Sequence, residues 1–259
     1  MPVQPVFEAI DGRFVATALA SGPWDPNAQI GGAPAALLAR ELERLPAPEG
    51  LVVARLTYDF IRPAPIGPVE IDTEVTRAGR RVQLLEAVMR ADGAAVVRAR
   101  ALRVQTADAG GSHSEEIAPP AGPQDGRTGE LPGLHRPRFA TDAVEISFIA
   151  GGFGGGPATA WFRLTHPLVA GEEPTPLQRV AAASDFGAGL SATLPREEYL
   201  FINADLTVYV EREALGDWIC LESQTRIAAG GVGVTESVLY DERGRVGRAS
   251  QALLVAPHH

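Results

Sequence analysis

Asp185 lies in a stretch of the C-terminal half whose residue types could take part in catalysis, ASDFGAG (183–189). The letters DFG also occur in protein kinases, where the aspartate holds magnesium together with a glycine-rich strand, a strand lysine and a catalytic-loop aspartate and asparagine. None of these companions is present. The run GGFGGGP (151–157) lacks the Gly-Lys-Ser/Thr ending of a phosphate-binding loop and is typical of a turn between strands. The kinase reading is therefore rejected.

Other groups with catalytic potential are sparse. Cys220 is the single cysteine, and its place in the alternating run WICLESQTRI indicates a packed strand residue. None of the five histidines has metal-ligand spacing to a second histidine and a carboxylate. No Gly-x-Ser-x-Gly elbow of a serine hydrolase occurs. We therefore expect neither a metal nor a resident cofactor.

Composition limits the classes of partner and compartment. The 259 residues, 45% of them apolar, are enough to bury a sizeable core. A net charge of −9 disfavours nucleic acid as a partner, because such binding depends on clustered positive charge. No apolar run is long enough to span a membrane, and the N-terminus does not read as a signal peptide. We therefore expect a cytoplasmic protein without a membrane span.

An internal repeat organises the chain. The segment RLTYDFIR (55–62) aligns with DLTVYVER (205–212), and ADGAAVVRARALRV (91–104) aligns with DERGRVGRASQALLV (241–255). The two copies are offset by about 150 residues, and they agree in apolar alternation and in the position of a turn glycine. This agreement predicts a duplicated fold.

Each half contains a helix-like segment followed by strands. The run GGAPAALLARELERL (31–45) has leucines at helical spacing, and Thr175 can cap a second helix that begins at Pro176 and continues past Asp185 to Ala188. The run VEIDTEVTRAG (69–79) alternates as a strand does. One helix and a long antiparallel sheet, occurring twice, predict an α+β fold in which the two sheets join edge to edge.

The polar, Gly- and Pro-rich segment between the repeats is typical of a linker. We therefore divide the chain into an N-terminal repeat (1–106), a linker (107–138) and a C-terminal repeat (139–259) that carries Asp185.

The segments that carry this pattern resemble a known family. They are IGGAPAALLARELE and RLTYDFIRPAPIGPVEI in the first half, and PLVAGEEPTPLQRVAAASDFGAGLSA, FINADLTVYVEREALGDWICLESQT and YDERGRVGRASQALLV in the second. The chain is similar to the double hotdog acyl-CoA thioesterases of the thioesterase II type. This resemblance implies two tandem hotdog repeats, each a long helix wrapped by an antiparallel sheet. It also implies an acyl-CoA substrate, a role in lipid metabolism, and a homodimer or higher homo-oligomer.

The resemblance also implies the site residues. Enzymes of this family hold a hydrolytic water with an aspartate, a hydroxyl residue and a glutamine, which fall on Asp185, Asn203 and Gln251. The chain departs from the family at Asn203, where an amide replaces the hydroxyl. The counterpart of Gln251 in the first repeat is Arg100, so only the second repeat keeps the polar set. For the carbonyl oxygen of the substrate we expect a backbone donor at a helix start, Gly32.

Two alternatives to hydrolysis follow from the same residues. A hotdog hydratase would need a histidine after the stretch WDPNAQ (24–29), and position 30 is isoleucine. A non-catalytic protein that binds acyl-CoA or an acyl chain would keep the fold without turnover, and the departure at Asn203 favours it. The acyl chain length, the choice between CoA and acyl carrier protein, and the arginines that contact phosphate stay open.

Overall fold

Within the described residues, the main elements of secondary structure are fourteen strands and three α-helices. The computed structural model describes residues 3–108, 110–111, 117–128, 138–195 and 197–258. In the first half the elements are β1 (Phe7–Ile10), β2 (Arg13–Ala16), α1 (Gly32–Glu43), β3 (Leu51–Phe60), β4 (Gly67–Arg77), β5 (Val82–Ala91) and β6 (Ala94–Gln105). In the second half they are β7 (Arg127–Thr128), β8 (Val144–Ala150), β9 (Ala158–Leu164), α2 (Pro176–Ser184), α3 (Gly187–Leu190), β10 (Tyr199–Asn203), β11 (Asp205–Val210), β12 (Trp218–Ile227), β13 (Val232–Asp241) and β14 (Gly244–Pro257).

The described strands form one continuous antiparallel sheet. Its order is β1-β2-β4-β5-β6-β3-β11-β14-β13-β12-β9-β8-β7, and β10 pairs with the far end of β14. The two repeats meet where β3 pairs with β11, with Thr57 opposite Thr207. These two strands carry the repeated segments found in the sequence. The predicted edge-to-edge join of two sheets is therefore confirmed.

The two long helices lie side by side against the sheet and run in opposite directions. The end of α2 contacts the start of α1, where the Gly32 N–H donates to Asp185. The end of α1 contacts the start of α2, where the Glu43 carboxylate accepts hydrogen bonds from Thr175 and Gln178. Apolar side chains of α1 are fully buried between the helices and the sheet, which places the core there.

The second helix differs from the prediction at its end. Its start is as expected, since the Thr175 side chain accepts a hydrogen bond from the Gln178 N–H over 3.3 Å and Pro176 is the first helical residue. The helix stops at Ser184, however, and α3 begins only at Gly187. The interruption lies at Asp185 and Phe186. The side chain of Gln251, described below, bonds backbone groups on both sides of it.

Part of the predicted linker packs on the C-terminal repeat. The Trp161 indole N–H donates to the Ala121 carbonyl over 2.7 Å, and the Ser147 hydroxyl donates to the Pro123 carbonyl over 2.6 Å. The short strand β7 then pairs with β8. Residues 109, 112–116 and 129–137 of the predicted linker lie outside the described residues. The domain limits themselves stay a prediction.

Two smaller expectations can be compared with the described residues. Cys220 is fully buried beside Trp161 and Tyr240, as its alternating strand predicted. Within the described part of the chain, no helix is both long and apolar enough to cross a membrane.

Candidate active site

The site is centred on Asp185, at the point where α2 ends. The residue is only 7% exposed. Its Oδ2 accepts a hydrogen bond from the backbone N–H of Gly32 over 2.8 Å, and its Oδ1 accepts one from the Asn203 side-chain amide over 2.7 Å. Asn203 lies in the last position of β10, beside the end of α2. Residues that are 153 and 18 positions away in the sequence therefore fix both carboxylate oxygens.

Burial controls the acidity of this carboxyl group. Loss of solvation raises the pKa of Asp185 to about 6, and the hydrogen bonds from Asn203 and Gly32 oppose that rise. A pKa near neutrality suits a group that must accept a proton from water and later release it. An ordinary surface aspartate would be a much weaker base.

The two glycines at the start of α1 allow close approach to Asp185. A Cβ on Gly31 would lie 2.7 Å from Asp185 Oδ1 and 2.9 Å from Phe60 Cζ, and a Cβ on Gly32 would lie 2.6 Å from the Ala182 carbonyl oxygen. Any side chain at either position would therefore collide with the carboxylate or with the backbone of α2. Gly31 leaves space beside the carboxylate, whereas Gly32 lets the helices approach.

Gln251 bridges the interruption between α2 and α3. Its side-chain N–H donates to the Asp185 backbone carbonyl over 3.3 Å, and its Oε1 accepts a hydrogen bond from the Ala188 N–H over 3.0 Å. The single amide therefore bonds a backbone acceptor before the interruption and a backbone donor after it. Gln251 is 2% exposed. It therefore fixes the turn from which the Asp185 side chain projects.

Hydroxyl groups form a buried polar layer under α3. Ser191 contacts Thr225 over 2.7 Å, and Thr225 contacts Thr235 over 2.6 Å. Ser223 and Ser237 form a parallel pair at 2.7 Å. The sequence analysis missed this layer, although alternate inward positions of two neighbouring strands carry hydroxyl residues. The layer supports the short helix that follows Asp185.

A cavity of about 440 Å³ opens beside Asp185. Aromatic and aliphatic side chains form most of its wall, together with small residues at the start of α1 and in α3 and a few polar side chains. Its lining residues are Gly22, Pro23, Trp24, Asp25, Ala28, Gln29, Ile30, Gly31, Pro34, Phe60, Ile61, Arg62, Pro63, Ala64, Val97, Ala140, Phe153, Asp185, Phe186, Ala188, Gly189, Ala192, Phe201, Ile202, Asn203 and Leu253. A concave apolar site with a few converging polar groups is typical of a small-molecule site.

The structure brings the predicted residues together but gives two of them other partners. Asp185 and Asn203 face the cavity as a hydrogen-bonded pair. Gln251 is not among the lining residues, and both ends of its amide bind backbone groups. The prediction that Gly32 donates to a substrate oxygen is corrected in the same way, because its N–H donates to Asp185. Gly32 and Gln251 therefore position Asp185 from opposite sides.

Comparison with known proteins agrees with this architecture. A family model described as the acyl-CoA thioesterase N-terminal domain matches residues 20–104, and one described as the acyl-CoA thioesterase C-terminal domain matches residues 114–255. A comparison of the sequence with curated proteins found no match. The two domain matches together cover most of its length.

Solved structures share the fold at low sequence identity. A hot dog fold protein from Alicyclobacillus acidocaldarius is 19% identical with a TM-score of 0.72, over 97% of this chain and 95% of that one. An acyl-CoA thioesterase II from Mycobacterium marinum is 19% identical with a TM-score of 0.66, over 97% and 94%. The expected double hotdog α+β fold is confirmed by these likenesses. Because the two domain models match both repeats in order, the chain belongs to the acyl-CoA thioesterase family.

Proposed function

We propose that the protein hydrolyses the thioester bond of acyl-CoA with a water molecule activated by Asp185. The observation that carries this proposal is the buried Asp185 carboxylate, which opens on an apolar cavity and is held through both oxygens. Hydrolysis uses water as the second reactant, so the proposed reaction needs neither a metal nor an organic cofactor.

Asp185 is the proposed general base. Its two oxygens offer about four acceptor directions, and the bonds from Gly32 and Asn203 occupy one on each oxygen. The remaining directions can accept a hydrogen bond from a water in the cavity. With a pKa of about 6, the carboxyl group is mostly ionised at neutral pH and is still basic enough to take the proton as the water attacks the thioester carbon.

The developing negative charge on the thioester oxygen needs a donor, and the backbone N–H of Gly31 is a candidate. Gly31 lines the cavity at the start of α1, and its N–H has no hydrogen-bond partner within the described residues. Collapse of the tetrahedral intermediate breaks the carbon–sulfur bond and releases the CoA thiol and a carboxylic acid. In this scheme Asn203 and Gly32 orient the base, and Gln251 holds the turn that carries it.

Thiol release from a panel of acyl-CoAs of different chain length tests the proposal. The wild type should release thiol from at least one class of acyl-CoA, and Asp185→Asn should lower kcat by roughly 10²- to 10⁴-fold, the usual contribution of a general base. Asp72→Asn is the matched control, because it neutralises an exposed aspartate on β4, outside the cavity lining. It should retain the wild-type rate.

Two results would count against this mechanism. If Asp185→Asn keeps the wild-type rate within a few-fold, another group activates the water. If the wild type binds acyl-CoA without releasing thiol, the protein is the non-catalytic binder favoured by the amide at Asn203. Calorimetric titration with an acyl-CoA, run beside the kinetic assay, separates these results.

A further inference from the structure

Strongly exposed apolar side chains form part of the cavity lining, and we call this exposed part the mouth of the cavity. Trp24 is 59% exposed, Ile202 44% and Ile61 43%, and all three line the cavity. Other lining residues, such as Ala140 and Phe186, are buried. Exposed apolar surface of this kind marks a binding site. The cavity mouth is therefore equipped to contact something that extends beyond the cavity.

The rim that carries Trp24 is fixed before any ligand arrives. The chain around Gln29 is tied to the loop after β3, because the Gln29 N–H donates to the Ala64 carbonyl over 2.8 Å and its side-chain N–H donates to the Pro65 carbonyl over 2.7 Å. The Ile66 N–H donates back to the Asn27 carbonyl over 2.8 Å. The two hydrogen-bonded loops carry Trp24 and Arg62 on one rim. Their rigidity lowers the entropic cost of binding.

Arg62 supplies positive charge at this rim. It lines the cavity, its side chain is exposed, and it makes no ion pair with any described residue. Asp25, on the same rim, accepts a hydrogen bond from the Asn27 N–H over 2.8 Å. Because the chain carries a net charge of −9, a polyanionic ligand would be repelled elsewhere on its surface. A local guanidinium is the group best suited to bind phosphate at such a mouth.

We propose that Trp24 and Arg62 recognise the nucleotide part of coenzyme A, with the adenine against the indole and a phosphate on the guanidinium. This inference rests on the proposed function, and it takes the acyl group to lie inside the apolar cavity with the rest of the thioester at its mouth. Aromatic side chains stack on bases, and arginine binds phosphate through two parallel hydrogen bonds. An acidic carrier protein would need several cations, whereas Arg62 is the one basic side chain among the described lining residues.

Two substrates with the same acyl group separate nucleotide recognition from chemistry: the acyl-CoA and the acyl-pantetheine, which lacks the nucleotide. The wild type should have the higher kcat/KM for acyl-CoA. Trp24→Ala and Arg62→Ala should each lower kcat/KM for acyl-CoA at least tenfold more than for acyl-pantetheine, mainly through KM, given the usual contribution of base stacking. Trp24→Phe should restore most of the loss. Arg77→Ala, an exposed arginine at the far end of β4, is the control.

The inference is overturned if the wild type uses both substrates equally well, or if the variants lower both to the same extent. Calorimetric titration with 3′,5′-ADP, which contains the nucleotide and no thioester, keeps the test independent of turnover. The wild type should bind this probe, and both alanine variants should weaken it at least tenfold. If no thiol is released from any substrate but the probe binds in this pattern, the proposed hydrolysis fails and nucleotide recognition stands. Absence of probe binding to the wild type overturns the inference.

Discussion

Asp185 should impose a definite pH dependence on the reaction. Its pKa is raised to about 6 by burial, and the protonated form cannot accept a proton from water. We expect kcat/KM to rise about tenfold per pH unit below about pH 6 and to level off above it. The measurement is a pH profile of thiol release between about pH 4.5 and 8. Asn203→Ala removes a hydrogen-bond donor to the carboxylate, so the rising acidic part of the pH profile should move to higher pH in this variant.

Ionisation of Asp185 should raise the activity but lower the conformational stability of the protein. The folded-state pKa lies above the ordinary value of 3.8, so folding favours the protonated form and ionisation weakens the fold. This group should therefore lower the free energy of unfolding by about 3 kcal/mol as the pH rises from about 4 to about 6. Urea unfolding at several pH values measures it. Asp185→Asn should lack this decrease in the free energy of unfolding. If the variant shows an equal decrease, groups other than Asp185 cause it.

At the residue scale, the sequence predicted which residues lie close together better than it predicted their hydrogen-bond partners. Asp185 and Asn203 were found from residue type and family pattern, and they form a direct hydrogen bond. Gly32 and Gln251 were also found, but their predicted contacts were with substrate and water. Their actual partners are set by how closely α1, α2 and β14 approach, which is a tertiary property. A pattern of residue types does not encode that approach.

At the scale of elements, the start of α1 and the break after α2 together position Asp185. The start of α1 was predicted from its glycines and proline and was found at Gly32. The break after Ser184 was not predicted, because small residues continue at helical spacing to Ala188. The amide of Gln251, 66 residues beyond Asp185, bonds the Asp185 carbonyl at this break, and such a tertiary contact is not visible in the local sequence.

The neighbouring glycines of α1 should respond differently to the same substitution. Gly32→Ala places a Cβ against the Ala182 backbone oxygen, which cannot move without separating the helices, so we expect a loss of about 1–3 kcal/mol in stability. Gly31→Ala places its Cβ against the side chains of Asp185 and Phe60, so we expect a smaller loss of stability and at least a tenfold loss of kcat/KM. Thermal unfolding and thiol release together measure this contrast. Equal effects of the two variants on both quantities would contradict the separate roles.

At the scale of the whole molecule, the duplicated fold has a carboxyl group with a raised pKa at each end of the antiparallel helix pair. Asp185 opens on the cavity, whereas burial raises the pKa of Glu43, whose oxygens accept hydrogen bonds from Thr175 and Gln178. The repeat predicted two similar halves of which only the second keeps the polar set. The structure adds that the first half contributes Gly31, Gly32 and Phe60 to the site of the second. The cytoplasmic location and the homo-oligomeric state stay predictions.

The shared sheet should make the two halves unfold together. Leu56 of β3 is fully buried and lies opposite Val208 of β11, at the join between the repeats. Leu56→Ala should cost about 2–5 kcal/mol through the cavity it leaves. The experiment is run in a Trp24→Phe background, because Trp24 lies in the first half and the remaining Trp161 and Trp218 both lie in the second. A cooperative molecule should then show the same lower urea midpoint by tryptophan fluorescence and by circular dichroism.

Val52→Ala is the control for this experiment, since Val52 lies on the same strand but is 47% exposed, and it should shift the midpoint little. A fluorescence midpoint that stays at the wild-type value while the circular dichroism splits into two transitions would mean that the repeats unfold separately. That outcome would contradict the coupling, because a substitution in β3 would then destabilise the first repeat without destabilising the second, although β3 and β11 are paired. A single shifted transition would mean that the two repeats form one cooperative unit. Gly31, just before α1 in the first repeat, and Asp185 in the second would then keep their relative positions as long as that unit is folded.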